Sequence, residues 1–177
     1  MGHSRHLILA SFEEQLAKLD ATYVHIGVFD FNGVFRHKKI EAAKAVKFAK
    51  NGYSFCEVLY QWDIADTAYG GGAFLDRPAS IDAASVRAWP FDEKEAICIA
   101  DFTRPLGELS PRNQLIGQLD KAKKMGFAVH SAFEFEFTLL QETPQTLREK
   151  AYNNLDAFAV GNTTYSLKSA VENQDIF

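Results

Sequence analysis

The run T-Y-V-H-I-G-V-F-D-F-N-G-V-F-R-H-K-K-I, from Thr22 to Ile40, decides how this chain folds. Thr22–Phe29 is rich in β-branched and aromatic residues and reads as a strand. Asn32-Gly33 supplies the positive φ angles of a tight turn, so Val34–Ile40 is expected to return antiparallel to it. Upstream, Ser11-Phe-Glu-Glu14 forms a capping box that opens a short helix to about Leu19. Downstream, Glu41–Lys50 has helical composition and stops at Asn51-Gly52, and Tyr53–Tyr60 reads as a third strand. Gln61–Ser85 lacks periodicity, contains Gly70-Gly71-Gly72 and reads as a long loop. Val86–Phe91 and Glu95–Phe102 add two strands around a turn at Asp92-Glu93. The sum is α+β: a sheet with a helix laid across it.

A second region begins near Arg104–Ser110, which divides the chain into a helix at 1–20, a first domain at 21–106 and a second at 107–177. Ser110 at N-cap, Pro111 at N1 and Gly126 as terminator bracket a helix with Leu115, Ile116, Leu119, Ala122 and Met125 on one face. It is followed by F-A-V-H-S-A-F-E-F-E-F-T-L-L, Phe127 to Leu140. Strand alternation puts Phe127, Val129, Phe133, Phe135, Phe137 and Leu139 on one face, with His130, Glu134, Glu136 and Thr138 on the other. Like charges two residues apart on a strand, roughly 6.5–7 Å, repel unless water or a cation lies between them. Two readings of that face stand: a solvated polar surface over an aromatic core, or a divalent metal site. A further helix is expected near Leu147–Ala159, and the closing A-V-E-N-Q-D-I-F has neither a closing strand nor a tail-like composition, which reads as a truncated domain.

Composition sets outer limits. The 177 residues are 47% hydrophobic and 24% charged, which is globular usage, and the 15 Phe favour sheet-rich packing. A net charge of -4 supplies no global positive field for nucleic acid or an anionic membrane. Cys56 and Cys98 form no C-x-x-C pair, so neither a zinc site nor a disulfide framework is indicated. The apolar run after Met1 is too short for a secretory segment, and a cytoplasmic location is expected. Gly70–Gly72 lacks the G-K-[S/T] of a phosphate loop and reads as flexible chain. The basic clusters Lys121, Lys123, Lys124 and His37-Lys38-Lys39 read as solvated faces.

Four passages, in order, resemble the glutamine synthetase family. Phe29-Asp-Phe-Asn-Gly-Val-Phe-Arg36 is similar to its opening hairpin with D-x-x-G-x-x-R. Ala88-Trp-Pro-Phe91 resembles its P-W segment, and Asp101-Phe102 with Ser110-Pro-Arg-Asn-Gln-Leu115 resembles its D…P-R-x-x-L passage. Glu134-Phe-Glu136-Phe137 matches its E-x-E-F strand. Together they span nearly the whole chain.

The resemblance implies a β-grasp domain at 21–106 and the start of a catalytic domain built on a curved antiparallel sheet. It implies ATP-dependent joining of glutamate to ammonia through γ-glutamyl phosphate, in a homo-oligomer with active sites between subunits. Glu134 and Glu136 would each bind one of two divalent cations, Mg²⁺ or Mn²⁺, which prefer oxygen ligands. Asp63, with Asp66 as the competing assignment, would reach a neighbouring subunit to bind ammonium and accept its proton. The family's remaining ligands for metal, ATP and glutamate match nothing before Phe177, so residues 1–177 alone are expected to be inactive. A polyamine or other amine in place of ammonia, or a non-catalytic assembly chain, are the alternatives. No nucleic acid or membrane partner is expected.

Overall fold

A computed structural model of the chain describes residues 12–69, 71–158 and 166–172. The chain divides into two compact units, Met1–Val129 and His130–Phe177.

In the first unit a short helix α1 (residues 12–18) precedes β1 (Tyr23–Phe29), β2 (Phe35–Glu41), α2 (Ala42–Asn51), β3 (Tyr53–Cys56), β4 (Asp76–Ile81), β5 (Arg87–Ala88), β6 (Glu95–Phe102) and α3 (Pro111–Lys124). The Ser11 cap expected for α1 lies outside the described residues. The sheet runs β2-β1-β6-β4-β3, with β5 also paired to β6. β1 and β6 are parallel, Tyr23 opposite Glu95, and the other pairings are antiparallel. A parallel central pair flanked by a hairpin, with α2 on β1 and β2, is the β-grasp arrangement that the family resemblance implies.

The core follows from the alternation of β1 and β6. Val24, Ile26 and Val28 point to one side of β1 and are buried, as are Ala96, Cys98, Ala100 and Phe102 of β6. Phe12 and Leu16 of α1, Ala45 of α2, and Tyr53 and Phe55 of β3 complete the cluster. Burial pushes the Cys98 thiol up to about 12, so it stays protonated and acts as a small apolar residue. On the opposite face of β1, Gly27 lies under the Phe35 ring. A Cβ there would come within 2.5 Å of Phe35 Cζ and 2.7 Å of the Arg36 carbonyl oxygen, so only glycine admits this contact.

Five expectations are corrected. The strand expected over Tyr53–Tyr60 ends at Cys56 and passes into a 3₁₀ turn, Glu57–Tyr60. The loop expected over Gln61–Ser85 contains β4, which joins β3 to β6. Its sequence D-R-P-A-S-I has few β-formers, and Pro78 argues against an inner strand. The stagger resolves this: β3 pairs with Asp76–Ala79 and β6 with Ala79–Ile81. Gly70, the first of the triple glycine, lies outside the described residues. The strand expected over Val86–Phe91 shrinks to Arg87–Ala88.

The fourth and fifth corrections concern the second region. Residues 127–139 carry no strand, and Leu140 alone makes an isolated bridge, to Ala157. Alternation prescribes which side chains share a face, but a strand needs ladder partners for its N–H and C=O groups, and the described residues supply none there. In the second unit, α4 (Pro144–Glu149) and α5 (Leu167–Glu172) are the described helices. The helix expected over Leu147–Ala159 is therefore shorter and shifted: Thr143 caps it, and Ala151, Tyr152 and Asn154 take positive φ soon after its end. Ala159 itself lies outside the described residues.

Candidate functional site

The β1–β2 turn is built around Asp30. Its side chain is wholly buried and accepts hydrogen bonds from the backbone N–H of Asn32 (2.9 Å) and Val34 (2.9 Å), while Arg36 Nε donates to it at 2.8 Å. Gly33 occupies the turn with φ of 76°. Burial pushes the Asp30 carboxyl up, but the bonds from Arg36, Val34 and Asn32 outweigh it and hold it below the ordinary carboxylate range. The spacing D-x-x-G-x-x-R thus has a mechanical meaning: the aspartate closes the turn, glycine reverses it, and arginine neutralises the buried charge.

Arg36 also leaves the hairpin. Its Nη2 donates to Asp66 Oδ1 at 2.7 Å, and its guanidinium sits 4.6 Å from the centre of the Trp62 ring. The loop at 61–69 is therefore strapped to the turn. Within it, Asp63 Oδ1 accepts from Ala65 N (2.8 Å) and Thr67 N (3.0 Å), and Asp66, at φ of 57°, donates its N–H to the Asp63 carbonyl at 3.0 Å. Asp63 is exposed, and Oδ2 of its carboxylate has no hydrogen-bond partner among the described residues. The two competing aspartates thus lie together in one loop with different employment: Asp66 is tied to Arg36, whereas Asp63 keeps one oxygen toward solvent.

A second arginine holds the start of α3. Arg112 Nη2 donates to Asp82 Oδ2 at 2.5 Å and Nη1 pairs with Asp101 of β6. Ser110 Oγ is 3.3 Å from Asp101 Oδ1 and accepts from Asn113 N at 3.3 Å, so one hydroxyl caps the helix and touches the same aspartate. Beside this knot lies a polar cleft of about 770 Å³ between β4, β6 and α3. The roles of Arg36 and Arg112 escaped sequence reading. Both stand in motifs singled out above, but each also reaches a second carboxylate, Asp66 or Asp82, 30 residues away.

Glu134 and Glu136 lie in the second unit, both exposed on the extended stretch, as is His130. Phe133 and Phe135 are 88% and 83% exposed, so neither the aromatic nor the acidic side of the alternation is covered. Among the described residues no three His, Cys, Asp or Glu side chains are grouped to hold a metal ion. Two carboxylates are the right donor type for Mg²⁺ or Mn²⁺, but only part of the shell such an ion needs. Among the described residues no helix is long and apolar enough to cross a membrane.

This geometry can be set beside known proteins. No protein-family profile matches the chain. A glutamate–isopropylamine ligase of Pseudomonas sp is 28% identical over 164 residues, which is 86% of this chain and 36% of that protein. Type-1 glutamine synthetase 2 of Dictyostelium discoideum is 28% identical over 163 residues, again 86% of this chain and 31% of the relative. Two solved structures of GmaS, one an ADP complex and one without ligand, superpose with TM-scores of 0.53 and 0.51 at 18% identity. They cover 79% and 78% of this chain and 36% of each GmaS chain, and at that identity they speak for the fold alone. The chain therefore resembles the ligases of the glutamine synthetase family, over their N-terminal part. It spans about a third of the length of the curated relatives it matches.

Proposed function

We propose that this chain is the N-terminal portion of an ATP-dependent ligase that joins glutamate to ammonia or a small organic amine through γ-glutamyl phosphate. The observation that carries the reading is the similarity, over 86% of the chain, to a glutamate–isopropylamine ligase and a type-1 glutamine synthetase. In this reading Asp63 faces the amine: its solvent-facing oxygen favours an ammonium group and can accept its proton, and Asp66 with Arg36 holds the loop that presents it. The active sites lie between subunits of a homo-oligomer in the cytoplasm. Glu134 and Glu136 are two oxygen donors of a larger set. A divalent cation held there would neutralise charge on the transferring phosphoryl group.

The acceptor is decided in the loop Asp63–Asp82. The Pseudomonas relative is named for isopropylamine, which supports an organic amine as readily as ammonia. The test is phosphate release from ATP with glutamate and either ammonia or isopropylamine, using a full-length ligase that contains this chain. Glu134→Ala with Glu136→Ala should lower the rate at least about 10²-fold, as loss of a charge-stabilising group does. Retention of the parent rate in that double variant would sink the assignment of the two glutamates. The 177-residue chain by itself should release phosphate only at background, and glutamate-dependent release by it would overturn the reading that most of the active site lies elsewhere.

A further inference from the structure

The cluster His37-Lys38-Lys39, which reads in the sequence as a solvated face, has company in three dimensions. Lys38 and Lys39 of β2, Lys44 and Phe48 of α2, Tyr23 of β1 and Tyr53 of β3 line one groove of about 560 Å³. That volume lies within the range of small-molecule sites. Each ammonium sits by a ring: Lys39 Nζ is 5.0 Å from the centre of Tyr23, Lys44 is 5.5 Å from Phe48, and Lys38 is 5.8 Å from Tyr53 and 4.8 Å from Phe55. The rings place the Lys38 and Lys44 charges without cancelling them, whereas the Lys39 charge is met by a carboxylate. Lys38 donates to the Ser54 carbonyl at 3.0 Å, and Lys39 pairs with Glu95, which is buried and shared with His25. Among the described residues no carboxylate pairs with Lys38 or Lys44, and Glu41 is the one acidic residue of the lining.

Lys44 breaks a local rule. It stands in the first turn of α2, where the helix dipole favours acids, and that turn has no acidic residue and no side-chain cap. Glu41 at the N-cap supplies the one acidic group at that end of the helix, and a bound anion would add to it. In a chain of net charge -4, the groove lining carries three lysines against one acidic residue.

We infer that this groove is a binding site for a small organic polyanion, its phosphate or carboxylate groups held by Lys38 and Lys44 and its body against Phe48 and Tyr53, while Lys39 stays paired with Glu95. The site belongs to the first unit and does not depend on the ligase reading.

The test is a ¹⁵N–¹H titration of the 177-residue chain with inorganic pyrophosphate and, separately, citrate, in about 0.15 M salt so that diffuse attraction is screened. Saturable shifts grouped at Ile40, Lys44 and Ser54, with a Kd below about 1 mM, are expected for at least one anion. Pyrophosphate alone saturating identifies a phosphate ligand, and citrate alone a carboxylate. Lys38→Gln with Lys44→Gln should weaken binding at least about tenfold, and Lys44→Gln by itself, at an exposed helix position, should weaken it about threefold. Lys121→Gln with Lys123→Gln and Lys124→Gln, which removes the other basic cluster, should leave it unchanged. Absence of saturation by both anions, or equal binding by the groove variants and the parent, would overturn the site.

Discussion

At position 27 of β1 a methyl group decides whether the hairpin closes. The Phe35 ring and the Arg36 carbonyl occupy the space a Cβ would need, and the carbonyl belongs to a paired strand that cannot swing away. Gly27→Ala should therefore lower unfolding free energy by about 1–3 kcal/mol, the usual range for overpacking. Urea denaturation checks this, and a midpoint equal to that of the parent would show that β2 can shift without penalty. The same scale explains what could be read at the candidate site. Asn32 and Gly33 were legible as a turn because the signal lies in the dipeptide itself, whereas the bonds that Asp30 accepts from Asn32, Val34 and Arg36 were not. The strut from Arg36 to Asp66 was not, since nothing local in either residue names the other.

At the scale of elements, a strap in the second unit shows how charge holds an irregular stretch. Lys150 donates to Glu142 at 2.6 Å and to Asp156 at 2.8 Å, and the Asp156 N–H donates to Glu142 at 2.8 Å. The bonds from Lys150, Thr146 and the Asp156 backbone hold the Glu142 carboxyl down at about 2, against an ordinary 4.5. A depressed acid contributes stability that is fully present above its unfolded value and is lost as pH falls through the folded one. The Leu140–Ala157 bridge and α4 should thus loosen between about pH 4.5 and pH 2. Following the Glu142 side-chain carboxyl by NMR should give a midpoint near 2, moving upward in Lys150→Met; a midpoint near 4.5 in the parent would remove the strap as an anchor. Element by element, α3 was fully legible because Ser110, Pro111 and Gly126 act within a turn of themselves. β4 was hidden because its pairing, not its residues, makes it a strand.

For the molecule as a whole, the apolar stripe of α3 is partly exposed, with Leu115, Ile116, Leu119 and Met125 each open to solvent over 40% or more of their surface, and Phe133 and Phe135 further along are more exposed still. Exposed apolar surface of this kind drives association. The 177-residue chain should show a weight-average mass that rises with concentration over the micromolar-to-millimolar range in sedimentation, and Leu115→Gln with Leu119→Gln should reduce the rise. A concentration-independent monomer would show that the stripe is not adhesive. The sequence by itself determined the β1–β2 hairpin and the limits of α3, because turns and caps depend on neighbours along the chain. Tertiary structure alone decided that Asp66 is a strut while Asp63 faces solvent, that β4 joins the sheet, and that three lysines from two elements converge on one groove. Those outcomes rest on contacts between residues far apart in sequence. The same principle leaves Glu134 and Glu136 on an unpaired stretch, since alternation can assign faces but only a neighbouring strand supplies the hydrogen bonds that make one.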